Sequence, residues 1–195
     1  MSKYIKKIAL TTVESFLDKK LKRNKISIGA DTATYHTAFA ILRTTDTYLI
    51  IEELNKIEVP KLAKTSTVKS LLNNVDLFCE QLDSLKNKLA QQYKFDYTQI
   101  EDCFYSMSVK TTKMLAYNSI LTYDRIKRIS DNTTLIMPNT ARSLIGFKKS
   151  KKASGQQLKK ELVEFINNAL GLELKVKDND KADATVLSLT GLIGE

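Results

Sequence analysis

The stretch Ile26-Ser27-Ile28-Gly29-Ala30-Asp31 decides how the rest of the chain is read. Ile26, Ile28 and Ala30 alternate with Ser27 and Gly29, the period of two that marks a strand, and the run ends on a carboxylate. Toward the C-terminus, Thr37 to Leu42 and Tyr48 to Ile51 are β-branched or aromatic runs divided by Arg43-Thr44-Thr45-Asp46, so three strands joined by short turns are predicted. Val68 to Gln92 then carries Leu71, Leu72, Val75, Phe78, Cys79, Leu82, Leu85 and Leu89 at i, i+3, i+4 spacing, the stripe of a long helix. Strand character returns from Tyr97 to Phe104, a helix from Lys110 to Arg128, and a short strand from Thr133 to Met137, stopped by Pro138. Ser154 and Gln157 have capping-box spacing before a helix that Gly171 ends, and Asp180 to Leu192 forms the last helix. In front of the deciding strand, Met1 to Lys25 sets Ile5, Ile8, Val13, Phe16, Leu17 and Leu21 among Lys3, Lys6, Lys7, Lys19, Lys20, Lys22 and Arg23, which predicts a basic amphipathic helical extension over 1–24. It would dock on the body or a second subunit, or touch phosphates or a membrane surface.

Strands that alternate with helices predict an α/β domain over 25–195 with helices packed on a sheet. Six Gly and two Pro in 195 residues argue against a turn-rich all-β architecture. The 43% hydrophobic and 27% charged composition excludes a largely disordered chain. Thirty-one Lys and Arg against 22 Asp and Glu leave a charge of +9, which favours a polyanionic partner, nucleic acid first. Cys79 and Cys103 have no CxxC spacing, so neither a zinc site nor a disulfide framework is indicated and a reducing cytoplasm is expected. No apolar run approaches the roughly 20 residues of a membrane span, and no signal-peptide core is visible.

Acidic residues within apolar surroundings carry the functional information, because a buried carboxylate must be paired or hold a cation to offset its desolvation. Asp31 ends the first strand, Glu101 sits inside Tyr97 to Phe104, and Asp180 and Asp183 stand three apart on one side of the last helix. Singly, each has an ordinary explanation: a turn for Asp31, a lysine partner for Glu101, a helix cap for Asp180. Together, carboxylates from three elements suit phosphoryl transfer assisted by two Mg2+ ions, hard cations that want oxygen ligands.

In order along the chain, ISIGAD (26–31), QIEDCF (99–104) and DKADA (180–184) resemble the RuvC family of Holliday-junction resolvases, in the RNase H-like superfamily. Phage-encoded divergent members are the nearest in character. The resemblance implies a mixed five-stranded sheet with helices on both faces and a homodimer that resolves four-way junctions, and related branched DNA such as forks, by paired nicking that leaves 5′-phosphates. It implies a catalytic and metal-binding tetrad of Asp31, Glu101, Asp180 and Asp183, with two Mg2+ ions for which Mn2+ substitutes. Phe104 answers to an aromatic thought to unstack bases at the junction centre, although its place on a strand equally suits the core. Asn139 to Ile166 is similar to the family's DNA-contacting segment. The family follows its first Asp with Pro-Gly, whereas Thr32 and Ala33 stand here, so the turn geometry is expected to differ.

The basic stretch Gly146 to Gly155 reads as a flexible loop that overcomes the repulsion between acids and DNA, with Arg142, Lys148, Lys149, Lys151 and Lys152 as phosphate contacts. Helix Lys110 to Arg128 has apolar residues on two sides, enough for the sheet and a partner subunit. His36, the single histidine, reads as structural or surface. Two other readings remain: an RNase H-like nuclease acting on RNA–DNA hybrids or flaps, and a junction-binding protein with weak or lost cleavage.

Overall fold

The computed structural model describes residues 5–61, 68–102, 109–151 and 153–194. The deciding stretch is strand β2 (Ile26–Thr32), between β3 (His36–Thr44) on one side and β5 (Tyr97–Glu101) on the other. With β1 (Lys6–Ala9), β4 (Tyr48–Glu58) and β6 (Thr133–Ile136) the sheet has six strands in the order β1-β4-β3-β2-β5-β6. β1, β4, β3 and β2 pair antiparallel, and β2, β5 and β6 run parallel.

The sixth strand corrects the sequence reading. Helix α1 covers Leu10–Leu17, and residues 6–9 before it lie against Ile51 to Tyr48 of β4 as an edge strand. The alternation Lys7, Ile8, Ala9 is too short to be told from a helical stripe by its pattern, and β4 supplies the pairing that settles it.

Both faces are covered, as expected. Helices α2 (Val68–Gln92) and α3 (Val109–Ile126) lie on one face, where Phe78, Leu82, Leu85, Leu89 and Ile126 meet Ile28, Ala30, Phe39, Ile41 and Ile100. On the other face α1, α4 (Pro138–Leu144), α5 (Gly155–Leu170) and α6 (Asn179–Leu192) share a core with Leu42, Leu49 and Ile51. The sequence pattern does not reveal α4, a short helix that opens on the proline read as a strand stop, with Pro138 at its first turn. α5 starts where predicted, but the capping box does not form. Ser154 makes no side-chain cap, and the Gln157 amide donates to Glu161. Gly171 closes α5 in the left-handed conformation at φ 58°.

α6 lies between the sheet and α5, so it is buried nearly all round: Ala182, Ala184, Val186, Leu187, Leu189 and Leu192 are each at most 2% exposed. Its approach to the sheet depends on two glycines. A Cβ on Gly29 would fall on the Ala184 carbonyl oxygen and the Ser188 nitrogen, and one on Gly191 would come within 2.6 Å of Ser27 Oγ. The Ser188 hydroxyl donates to the Ser27 carbonyl at 3.0 Å across this contact.

Candidate active site

Strand alternation dictates which side chains lie beneath α6. Ile28 and Ala30 join the core under α2, so Gly29 and Asp31 point the other way, and Gly29 meets α6. By the same alternation Ile100 joins the α2 side and Glu101 the α6 side. On β3, Ala38 and Ala40 pack on Ala184 of α6, which puts His36 on that face, and Lys56 of β4 stands opposite Ala38. The start of α6 thus lies over Asp31, Glu101, His36 and Lys56, and it brings Asp180 and Asp183.

Asp31 and Glu101 follow Ala30 and Ile100, the last paired residues of the parallel strands β2 and β5. Each is 8% exposed, and their side chains are hydrogen-bonded to one another. Burial first, then the bond to Glu101 and the charges of Glu101, Asp183 and Asp180, pushes the Asp31 carboxyl well above the usual carboxylate range. Burial also raises Glu101, although its bond with Asp31, the charge of Arg142 and the Thr32 backbone N–H pull it back. The pair therefore holds a proton more tightly than a carboxylate in water does.

Asp183 accepts hydrogen bonds from Arg142 Nη2 at 2.8 Å and Nε at 3.1 Å. Burial still leaves its carboxyl raised, against the pull of Arg142. Asp180 is arranged differently. Its Oδ2 accepts from Lys56 Nζ at 3.0 Å and lies 3.0 Å from His36 Nε2, and its Oδ1 accepts from the Asn179 amide at 2.8 Å. Burial opposes ionisation here, yet His36 and Lys56 outweigh it and hold the Asp180 carboxyl far below the usual range.

Helix α3 braces the turn after Asp31. The Asn118 amide donates to the carbonyls of Ala33 (2.6 Å) and Thr34 (3.0 Å), Thr32 and Ser119 share a hydroxyl hydrogen bond of 2.8 Å, and the Ser119 hydroxyl also donates to the Glu101 carbonyl at 3.2 Å. The Ala33 N–H donates to the His36 carbonyl at 2.9 Å and closes the turn without Pro-Gly. The apolar residues of α3 say nothing of Asn118 and Ser119, although two adjacent polar residues on a buried helix face must be bonded and are a usable signal. His36 lies 3.0 Å from Asp180, a neighbour that is not legible in the sequence. Lys56 escapes the sequence reading: alternation from Ala38 reaches His36 along β3, whereas Lys56 comes to Ala38 only through the register of β4.

A cavity of about 260 Å3 opens beside the acids, lined by Glu101, Met137, Pro138, Asn139 and Arg142. Arg142, expected among the DNA contacts, thus stands within the acidic group. Lys148, Lys149 and Lys151 are exposed on the loop between α4 and α5. That loop is more fixed than its composition suggests, since Glu161 accepts from the Ser150 N–H at 3.0 Å and hydroxyl at 2.7 Å. Phe104 and Lys152 lie outside the described residues.

The donor set suits a hard cation in kind: all oxygen, with Asp31 and Glu101 buried side by side and short of positive charge. As arranged, no three acidic, histidine or cysteine side chains among the described residues are disposed to hold a metal ion, and Asp180 and Asp183 face basic partners instead.

Solved structures share this arrangement of strands and helices. Thermus thermophilus RuvC in complex with a Holliday-junction substrate matches at TM-score 0.56 with 12% identity, over 85% of this chain and 91% of that one. The fold is that of RuvC. A second structure of T. thermophilus RuvC gives TM-score 0.55 and 13% identity over 85% and 92% of the two chains. The yeast mitochondrial Holliday junction resolvase Ydc2 gives 0.53 and 13% over 91% and 82%. No family model matches the sequence, and no curated protein matches it. RuvC-like topology thus survives at 12–13% identity, as the three sequence motifs implied. No helix among the described residues is long and apolar enough to cross a membrane.

Proposed function

We propose that this chain is a metal-dependent endonuclease that resolves Holliday junctions and related branched DNA by paired nicking. The observation that carries the reading is the buried, hydrogen-bonded pair Asp31–Glu101 beside Asp183, at the ends of the central strands of a fold shared with junction resolvases. Asp31, Glu101 and Asp183 would hold Mg2+, with Mn2+ as a substitute. Bound there, such an ion supplies Lewis-acid activation of water and neutralises charge at the phosphodiester. A pair of ions needs further ligands, which Asp180 could supply only by leaving Lys56 and His36.

The chain's own residues do the rest. α3, through Asn118 and Ser119, holds the Asp31 turn and the end of β5 in place before substrate arrives. Arg142 lines the cavity beside Glu101 and offers a planar fork to a phosphate oxygen once it releases Asp183. Lys148, Lys149, Lys151 and Lys152 add phosphate contacts, so the shape of the branched DNA carries most of the selectivity.

A two-fold homodimer would present two such sites to a four-way junction. Its support is an apolar groove of about 390 Å3 between α2 and α3, where Leu72, Tyr117 and Ile120 are each more than half exposed.

The test is a labelled substrate panel of junction, fork, duplex and RNA–DNA hybrid in Mg2+. Paired nicks in the junction, with 5′-phosphate ends, are expected, and Asp31→Asn should bind the junction without cutting it. Preferential cutting of the hybrid would transfer the reading to an RNase H-like activity. The basic partners now held by Asp180 and Asp183 favour one second reading, a junction binder without cleavage, which intact junction bound by the unaltered protein would support.

A further inference from the structure

We propose that Phe16, Phe147 and Phe165, with the lysines that flank them, form a platform for an unpaired strand of nucleic acid, completed by the segment ahead of β2. The platform lies apart from the acids and needs neither a metal nor cleavage.

The described phenylalanines fall into two groups. Phe39, Phe78 and Phe95 are core residues, each at most 4% exposed. Phe16, Phe147 and Phe165 gather instead at the surface, from the last turn of α1, the turn after α4 and the body of α5. The Phe165 ring touches both others, with centroids 5.2 Å from Phe16 and 5.4 Å from Phe147 and planes tilted by 58° and 74°. Leu10, Val13 and Leu17 supply the buried stripe of α1, whereas Phe16 shares a side with Thr12 and Ser15 and is 42% exposed. Core packing therefore does not account for an aromatic ring at this position.

The cluster is held in place. Gly146, at φ 80°, lets the chain leave α4 close to α1, where a Cβ would stand 3.1 Å from the Leu17 carbonyl oxygen. The Phe147 N–H donates to the Arg142 carbonyl at 3.0 Å, which ties the ring to the helix whose Arg142 side chain faces the acids. Past Phe16, Asp18 closes α1 in the left-handed conformation, and the Lys20 carbonyl accepts from the Gly194 N–H at 2.8 Å.

Lys19 and Lys20 follow Phe16, and Lys148, Lys149 and Lys151 follow Phe147, all exposed. Glu14 pairs with Arg23 and Glu164 with Lys160, which leaves Asp18 and Glu161 against these five lysines. An exposed ring with a basic rim suits a polyanion that carries flat apolar faces. Nucleic acid has both, and an unpaired strand presents the base faces that a duplex keeps stacked within itself. A second copy docked here about a two-fold axis would instead set these lysines against their own counterparts.

The test is fluorescence anisotropy of the full-length protein in EDTA, where cutting plays no part, with labelled oligothymidylate and a blunt-ended duplex. Phe16→Ala and Phe16→Leu should each weaken oligothymidylate binding about fivefold or more, while Phe16→Tyr binds like the parent and duplex affinity is unchanged in all three. Leu keeps the apolar bulk and Tyr keeps the flat ring, so this pattern separates stacking from packing. Lys19→Ala with Lys20→Ala, which leaves the core untouched, should lower the log–log salt slope on oligothymidylate by about 0.7 for each phosphate no longer neutralised. Full binding by Phe16→Leu, equal losses on duplex and single strand, or no oligothymidylate binding by the unaltered protein overturns the platform. Self-association that Phe16→Ala abolishes in sedimentation velocity overturns it too, by giving the face to a second copy. Junction cutting in Mg2+ is judged separately, by the substrate panel.

Discussion

Asp31, one residue before the end of β2, and Glu101, the last residue of the neighbouring parallel strand β5, share a hydrogen bond in a setting where each is 8% exposed. Two like groups that must both ionise to receive a cation are an unfavourable feature of the metal-free fold. Because both folded-state pKa values are raised, the folded protein binds more protons than the unfolded chain, and stability falls as pH rises through the pair's titration. Asp31→Asn removes one of the two charges. Without divalent cations it should melt at a higher temperature than the parent at pH 8, with a smaller difference at pH 5, while nicking falls to background.

Gly29 should be intolerant of any side chain. A Cβ there meets backbone atoms of α6 at Ala184 and Ser188, which cannot rotate away. Gly29→Ala is expected to cost about 3 kcal/mol or more of stability by overpacking. It should also reduce nicking with every acid present, because displacing α6 moves Asp183 from Asp31. Denaturant unfolding and the junction assay check both, and a variant as stable as the parent would show that α6 does not press on β2.

The start of the chain contributes a pH-dependent contact far from the acids. Glu14, 5% exposed, accepts from Arg23 Nη1 at 2.8 Å, Arg23 Nη2 at 3.0 Å and the Leu21 N–H at 2.8 Å. The Arg23 bond, working against burial, lowers its pKa from 4.5 to about 2. Its stabilisation is complete above pH 4.5 and lost as pH falls toward 2. Glu14→Gln should cost about 2 kcal/mol at pH 7, discounted because Arg23 reaches solvent, and little at pH 2. Urea titrations at the two pH values measure the difference.

Replacing Lys148, Lys149, Lys151 and Lys152 with Ala should weaken junction binding and flatten its salt dependence by about 0.9 in log–log slope for each phosphate no longer neutralised. A slope unchanged from the parent would remove this loop from the DNA interface. Glu161→Ala, which releases Ser150, should weaken binding with a smaller change in slope.

Ile120 and Tyr117 protrude from α3 at 61% and 54% exposure. Ile120→Glu with Tyr117→Glu should leave the fold intact, since neither side chain enters the core, and should convert a dimer to a monomer in sedimentation velocity. Paired nicking would then give way to single nicks. A parent protein that sediments as a monomer at micromolar concentration would argue against the groove as a subunit interface.

Much of this molecule is written locally. Alternation from Ile26 to Asp31 and the stripe from Val68 to Gln92 specify β2 and α2, because a side chain's direction repeats every two residues in a strand and every 3.6 in a helix. The same periodicity puts Asp31 and Glu101 on strands and Asp183 on one side of the last helix. Other features depend on what lies opposite. Residues 6–9 are a strand because β4 offers them an edge, and Arg142 turns to Asp183, 41 residues away. From α6, Asp180 meets Lys56 of β4 across 124 residues and His36 of β3, whereas Asp183 meets Arg142 of α4, so two acids three positions apart have different partners in the fold. Period tells which face a residue takes, whereas charge pairing and desolvation depend on the register between faces, and that register exists only once the sheet and α6 have packed together.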